Sequence, residues 1–213
     1  MIVSRNTLTR RGETELPLDP SFDPRVAEAL DSFVARYLSA YPRLEEFHDP
    51  QWRSPCELGE PYADEEGEMR VLWQPLRRNT VSDDFAGLER ALEVPIHPAI
   101  KTYYGRYWSG GLEARAADGH VSLLMLWNPD DVDRLVENLI GHALAKRRAR
   151  SPFSVFFACT EPDSDLILSL DNDSGRVILE EPGRKPLRTV AESLGAFLET
   201  LTPAPPGLHP ERP

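Results

Sequence analysis

Cysteine, lysine and long apolar runs are scarce in this chain, and each shortage removes a class of protein. Two cysteines occur among 213 residues, Cys56 and Cys159, far apart in sequence. They form neither a disulfide framework nor a metal-binding pair, which fits a reducing compartment. Basic residues number 24 against 35 acidic ones, and only Lys101, Lys146 and Lys185 are lysine. The net charge of −11 would repel a phosphate backbone, so general electrostatic binding to nucleic acid is excluded. Such a chain attracts basic partners. The most apolar stretch, Val121–Trp127, contains Ser122 and is far shorter than the roughly 20 residues of a membrane-spanning helix. The first residues hold no apolar core between their basic side chains, so a secretory signal is not expected and the chain should stay in the cytoplasm.

Catalytic signatures are missing too. There is no GxGxxG, GxxxxGK[ST], GxSxG or HExxH. His48, His97, His120, His142 and His209 stand at no metal-ligand spacing. No catalytic residue, metal or cofactor is therefore expected. Cys159 ends an apolar strand and reads as core. Cys56 follows Ser54-Pro55 in a loop and is the better candidate for a nucleophile. Packing is still the preferred reading, because the acidic stretch after Cys56 raises a thiol pKa. Asp171-Asn172-Asp173 lacks the terminal glutamate of a calcium loop and reads as a turn.

What is present is the pattern of one soluble domain, with 40% hydrophobic and 28% charged residues. Residues 1–21 read as a flexible tail, 22–203 as the domain and 204–213 as a proline-rich disordered tail. Asp23 caps a first helix with Pro24 at its start, and Val26, Leu30, Phe33, Val34, Tyr37 and Leu38 recur at helical spacing. Leu44–Glu68 is irregular and acidic. Met69–Gln74 reads as a strand, and 83–92 and 98–108 as helices. Ala117-Asp118-Gly119 turns a hairpin between 112–116 and 120–127, whose second strand should be central. Asn128 caps a long helix over 130–150, with basic residues in its last turn. Strands follow at 154–159, 166–170 and 176–180. A last helix starts at Thr189, with Glu192 three residues on as a capping box. Helices interleaved with strands give an α+β (mixed α/β) class with a central mixed sheet and helices packed around it.

Three residues of the long helix read as structural. Gly141 falls opposite the apolar stripe and costs about 1 kcal/mol against alanine, so something should lie close against it. Asn138 and His142 sit on the flank as half-buried polar groups that hold a loop by hydrogen bonds. Two acidic clusters stand out. Glu57, Glu60, Asp64, Glu65, Glu66 and Glu68 form one, with Glu45 and Glu46 upstream; Glu161, Asp163, Asp165, Asp171 and Asp173 form the other. Each reads either as a solvated surface or as a field for a basic partner.

Glu137-Asn138-Leu139-Ile140-Gly141-His142, preceded by Trp127 and Asp130-Asp131, resembles the corresponding helix of the Syd family of bacterial SecY-interacting proteins. Phe33–Tyr37, Ser54-Pro55-Cys56, Trp73-Gln74-Pro75, Glu89-Arg90-Ala91, and Ile96 and Pro98 before Tyr103 agree in the same order. The resemblance spans about Phe22 to Pro203. It implies a single SUKH-like domain and a non-catalytic protein that binds SecY of the protein-export channel. The resemblance also implies a peripheral place on the cytoplasmic side of the cell inner membrane and a role in monitoring translocon assembly. Cytoplasmic loops of membrane proteins are rich in Lys and Arg. The partner-binding surface is accordingly expected at Glu45, Glu46, Glu57, Glu60, Asp64, Glu65 and Glu66. Two alternatives stay open. One is a SUKH-type immunity protein that neutralises a basic toxin; the other is a cysteine-dependent enzyme using Cys56.

Overall fold

The computed structural model describes residues 22–78, 84–161 and 164–207. The tail expected at 1–21 lies outside these residues, as do the last six residues of the tail expected at 204–213. The element order is α1 Pro24–Ala40, β1 Leu44–Phe47, β2 Glu57–Ala63, β3 Met69–Trp73, β4 Leu76–Arg77, α2 Ala86–Leu92, α3 Pro98–Arg106, β5 Tyr107–Trp108, β6 Leu112–Ala116, β7 Gly119–Leu123, α4 Pro129–Arg148, β8 Ser154–Cys159, β9 Ile167–Asp171, β10 Val177–Glu180, β11 Arg188–Ala191, α5 Leu194–Thr200 and β12 Thr202–Pro203. The α+β class and the single domain stand. A seven-stranded sheet, β11-β10-β9-β8-β7-β6-β12, forms the centre, with β7 inside it as its apolar run requires. Where a mixed sheet was expected, every ladder of this sheet is antiparallel. A parallel bridge joins Trp108 to Leu126 outside the named strands.

The helix starts follow from their caps. The Asp23 carboxylate accepts from the N–H groups of Arg25 and Val26, and Asn128 accepts from that of Asp131. α1 and α5 lie side by side and run the same way. Gly195 meets the backbone of Arg25 at the start of both helices, and Arg36 donates to the Leu201 carbonyl at 2.7 Å near their ends. Beneath them Leu30, Phe33, Phe157, Leu170 and Leu198 are wholly buried, each contributing about 1.5–3 kcal/mol. Tyr103 and Tyr104 of α3 are buried as well. Their hydroxyls donate to the carbonyls of Leu124 at 3.1 Å and Phe156 at 2.8 Å, so their polar tips cost little. Asn172 stitches the loop before α3 to the end of β9, accepting from the His97 N–H at 3.0 Å and donating to the Pro95 carbonyl at 2.9 Å.

Several expectations need correction. Leu44–Glu68 is not irregular, because β1 and β2 flank β3 in a separate three-stranded sheet. The last helix begins at Leu194, capped by Ser193, while Thr189 lies in β11. Pairing to β10 outweighed the local capping-box signal. Glu192 meets Arg176 at the surface instead of capping a helix. Ala204 is not part of a loose tail; it is buried and donates to the Glu113 carbonyl at 2.9 Å. No helix among the described residues is long and apolar enough to cross a membrane.

Candidate functional site

The three-stranded sheet carries the first acidic cluster. Its order is β1-β3-β2, and both ladders are antiparallel. Alternation turns Leu44, Val71 and Trp73 inward, where all three are buried. Trp73 meets Trp127 edge to face at 5.7 Å. The Trp127 indole donates to the Trp52 carbonyl at 3.0 Å, and Asn128 donates to the Arg53 carbonyl at 3.1 Å. These contacts fix the small sheet to the start of α4. Its outer face carries Arg43, Glu45 and Phe47 of β1 and its approach, Arg70 of β3, and Leu58 and Tyr62 of β2.

The predicted site residues fall into three groups. Glu45, Glu57 and Asp64 are neutralised by arginines from neighbouring turns and strands. Arg43 bonds Glu45 and lowers its carboxyl pKa; Arg53 bonds Glu57. Arg70 bonds Asp64 at 2.8 Å, and that hydrogen bond above all holds the Asp64 carboxyl below its usual value. The Glu57 side chain is only 4% exposed and accepts from the Ser54 N–H, so it staples a turn and does not face a partner. Asp64 also accepts from the N–H groups of Glu66 and Glu68, shaping the β2–β3 turn. Glu46 is half-buried and accepts from the Phe47 N–H.

Glu60, Glu65 and Glu66 form the remaining group. They are exposed, as is Glu68, and none has an ion-pair partner among the described residues. The acidic surface therefore narrows to the β2–β3 turn and the bulged stretch of β2 that leads to it. Sequence reading missed the arginines, because Arg53 and Arg70 lie outside the acidic run and only the fold brings them to Glu57 and Asp64, while Arg43 meets Glu45 upstream. It also missed an apolar element beside the acids. Phe47 is 36% exposed and Leu58 44% exposed on the outer face, while Met69, equally exposed, alternates to the other face beside the turn. The guanidinium of Arg70 stacks 3.5 Å from the Phe47 ring centre. The second cluster does not gather into one patch. Glu161 accepts from the His120 N–H beside the β6–β7 turn, whereas Asp171 organises its own turn at the far end of β9 by accepting from Ser174.

The structural residues of α4 also change roles. A side chain at Gly141 would meet nothing within 4 Å among the described residues, so no described strand or loop packs close against it. Asn138 is exposed rather than half-buried. His142 is buried, and its Nε2 meets the Ser154 hydroxyl at 3.1 Å in the sheet, not a loop. Ser154 donates to Glu180 at 2.6 Å, and Lys146 bonds the other oxygen of Glu180. Lys146 and Glu180 are 1% and 0% exposed, a buried ion pair at a position the sequence reads only as a helix-end charge.

Cys56 is buried, and burial foremost pushes its thiol up to about 12; its Sγ touches the Ser54 hydroxyl at 3.0 Å. Such a thiol holds almost no thiolate near neutral pH, which argues against nucleophilic chemistry. The cause is mainly the core around it rather than the acidic neighbours. Burial raises Cys159 as well.

Comparison with known proteins bears on this geometry. The model of the family described as Syd protein (SUKH-2) matches residues 27–203. A protein named Protein Syd from Pseudoalteromonas atlantica is 36% identical over 185 residues, covering 84% of this chain and 96% of the relative. One from Hahella chejuensis is 41% identical over 184 residues, 84% of this chain and 92% of its own. One from Colwellia psychrerythraea is 40% identical over 163 residues, 73% of this chain and 78% of its own.

Proposed function

The chain belongs to the Syd family, and we propose that it acts as a binding protein, without catalysis or cofactor, that engages SecY at the cytoplasmic face of the inner membrane. The contact surface is the outer side of the β1-β3-β2 sheet and its β2–β3 turn. The observation that carries this reading is the set of exposed carboxylates at Glu60, Glu65 and Glu66 beside the exposed apolar side chains Phe47 and Leu58. Carboxylates meet the Lys- and Arg-rich cytoplasmic loops that membrane proteins present. The apolar side chains supply contact that survives screening by salt. Anionic lipid repels a chain of charge −11, so attachment runs through protein rather than bilayer. In this role the protein inspects whether the translocon is properly assembled.

The test is capture on nanodiscs of one lipid composition, with and without SecY. The full chain binds only the SecY-loaded discs. Equal binding to empty discs, or none to loaded ones, overturns the reading.

A further inference from the structure

The seven-stranded sheet curls until its edge strand β11 comes back toward the β6–β7 turn. Arg188 of β11 reaches Asp118 of that turn at 2.6 Å, although β10, β9 and β8 lie between β11 and β7 in the sheet. Beneath this ion pair the sheet and α5 enclose a cavity of about 340 Å³. Its floor is apolar, made by Val121, Leu166, Leu168, Leu179, Val190 and Phe197. That volume is at the low end of small-ligand sites, which are mostly apolar with a few placed polar groups.

The charges at the mouth select among ligands. Arg188 is already matched by Asp118. Glu161 lines the same mouth, held there by the His120 N–H at 2.9 Å, and has no ion-pair partner among the described residues. One carboxylate is thus left uncompensated over an apolar floor. The hairpin geometry keeps it there. Gly119 has φ +138, and a side chain on it would lie 3.0 Å from a Glu161 oxygen.

We propose that this cavity is a binding site for a small amphiphilic amine, whose apolar body fills the floor and whose cationic end meets Glu161. The site is built from elements other than the acidic sheet and does not depend on SecY binding.

Titration calorimetry of the full chain with n-octylammonium, 1-octanol and octanoate tests it. Octylammonium should bind about fivefold tighter than octanol, the ratio expected of an exposed ion pair. Octanoate should bind most weakly. Glu161→Gln should erase the preference for the amine while leaving octanol binding in place. Ala116→Phe, which projects into the cavity, should weaken all three; Ala191→Leu serves if that variant does not fold. No heat from any probe, octanoate binding as tightly as the amine, an amine preference that survives Glu161→Gln, or unchanged binding in the filled variant would each overturn the proposal.

Discussion

Glu180 and Glu65 are the same kind of side chain put to opposite uses. Glu180 lies fully buried beneath α4 and is met by Lys146, Ser154 and His142. Glu65 stands exposed at the β2–β3 turn with no cation against it among the described residues. A buried carboxylate must be matched, and removing its partner leaves a charge that water cannot reach. An exposed carboxylate adds little to folding but acts on anything basic within a screening length. On the proposed function, stability and recognition draw on separate sets of acids.

Breaking the buried pair should have the largest effect. Lys146→Met strands Glu180 and should cost about 3–5 kcal/mol. At roughly 2–4 °C per kcal/mol for a chain of this size, the melting temperature should fall by about 10 °C. The double variant Lys146→Met/Glu180→Leu should recover part of that loss in thermal melts. If the single variant melts like wild type, the pair does not hold α4 to the sheet.

Acid should expose the same asymmetry. Burial alone would raise the Glu180 carboxyl, but hydrogen bonds from His142, Lys146 and Ser154 outweigh it and hold the group at about 2, below its ordinary 4.5. Because the folded value is the lower one, this contribution is complete above about pH 4.5 and is lost as pH falls toward 2. Denaturant titrations should show wild type losing more stability across that window than the double variant does. Parallel curves would contradict it.

Asp64 sits between the two extremes, partly exposed yet bonded to Arg70 and to two N–H groups of its turn. Asp64→Ala should lower the urea midpoint, but by less than Lys146→Met does, because two N–H groups of the turn lose their acceptor and Arg70 loses its partner. Gly141 should give the smallest change and the opposite sign. With open space around it, Gly141→Ala should stabilise the protein by up to about 1 kcal/mol.

The sequence revealed the parts of this design that depend on local chemistry. The caps at Asp23 and Asn128, the stripe of α1 and the Asp-Gly turn are short-range signals, and the structure contains each of them. Long-range pairing was not readable. Nothing near Lys146 in the chain announces Glu180, which lies on β10, so the lysine read as a helix-end charge. The acidic run from Glu57 to Glu68 likewise reads as uncompensated, yet the fold sets Arg53 on Glu57 and Arg70 on Asp64, as Arg43 meets Glu45 upstream. Composition identified the sign of the surface, while the fold decided which acids remain free.

The most direct test compares Glu60→Lys/Glu65→Lys/Glu66→Lys with Glu45→Lys/Glu57→Lys/Asp64→Lys by surface plasmon resonance on SecY-containing nanodiscs, over a salt series. The free acids should govern association. Their triple reversal should slow the on-rate by at least about tenfold at low salt and flatten its salt dependence, while stability changes by less than about 1 kcal/mol. The second triple should destabilise the fold more, because its carboxylates already have partners. An on-rate unchanged by reversal of Glu60, Glu65 and Glu66, or wild-type binding indifferent to salt, would contradict the assignment of this surface to SecY.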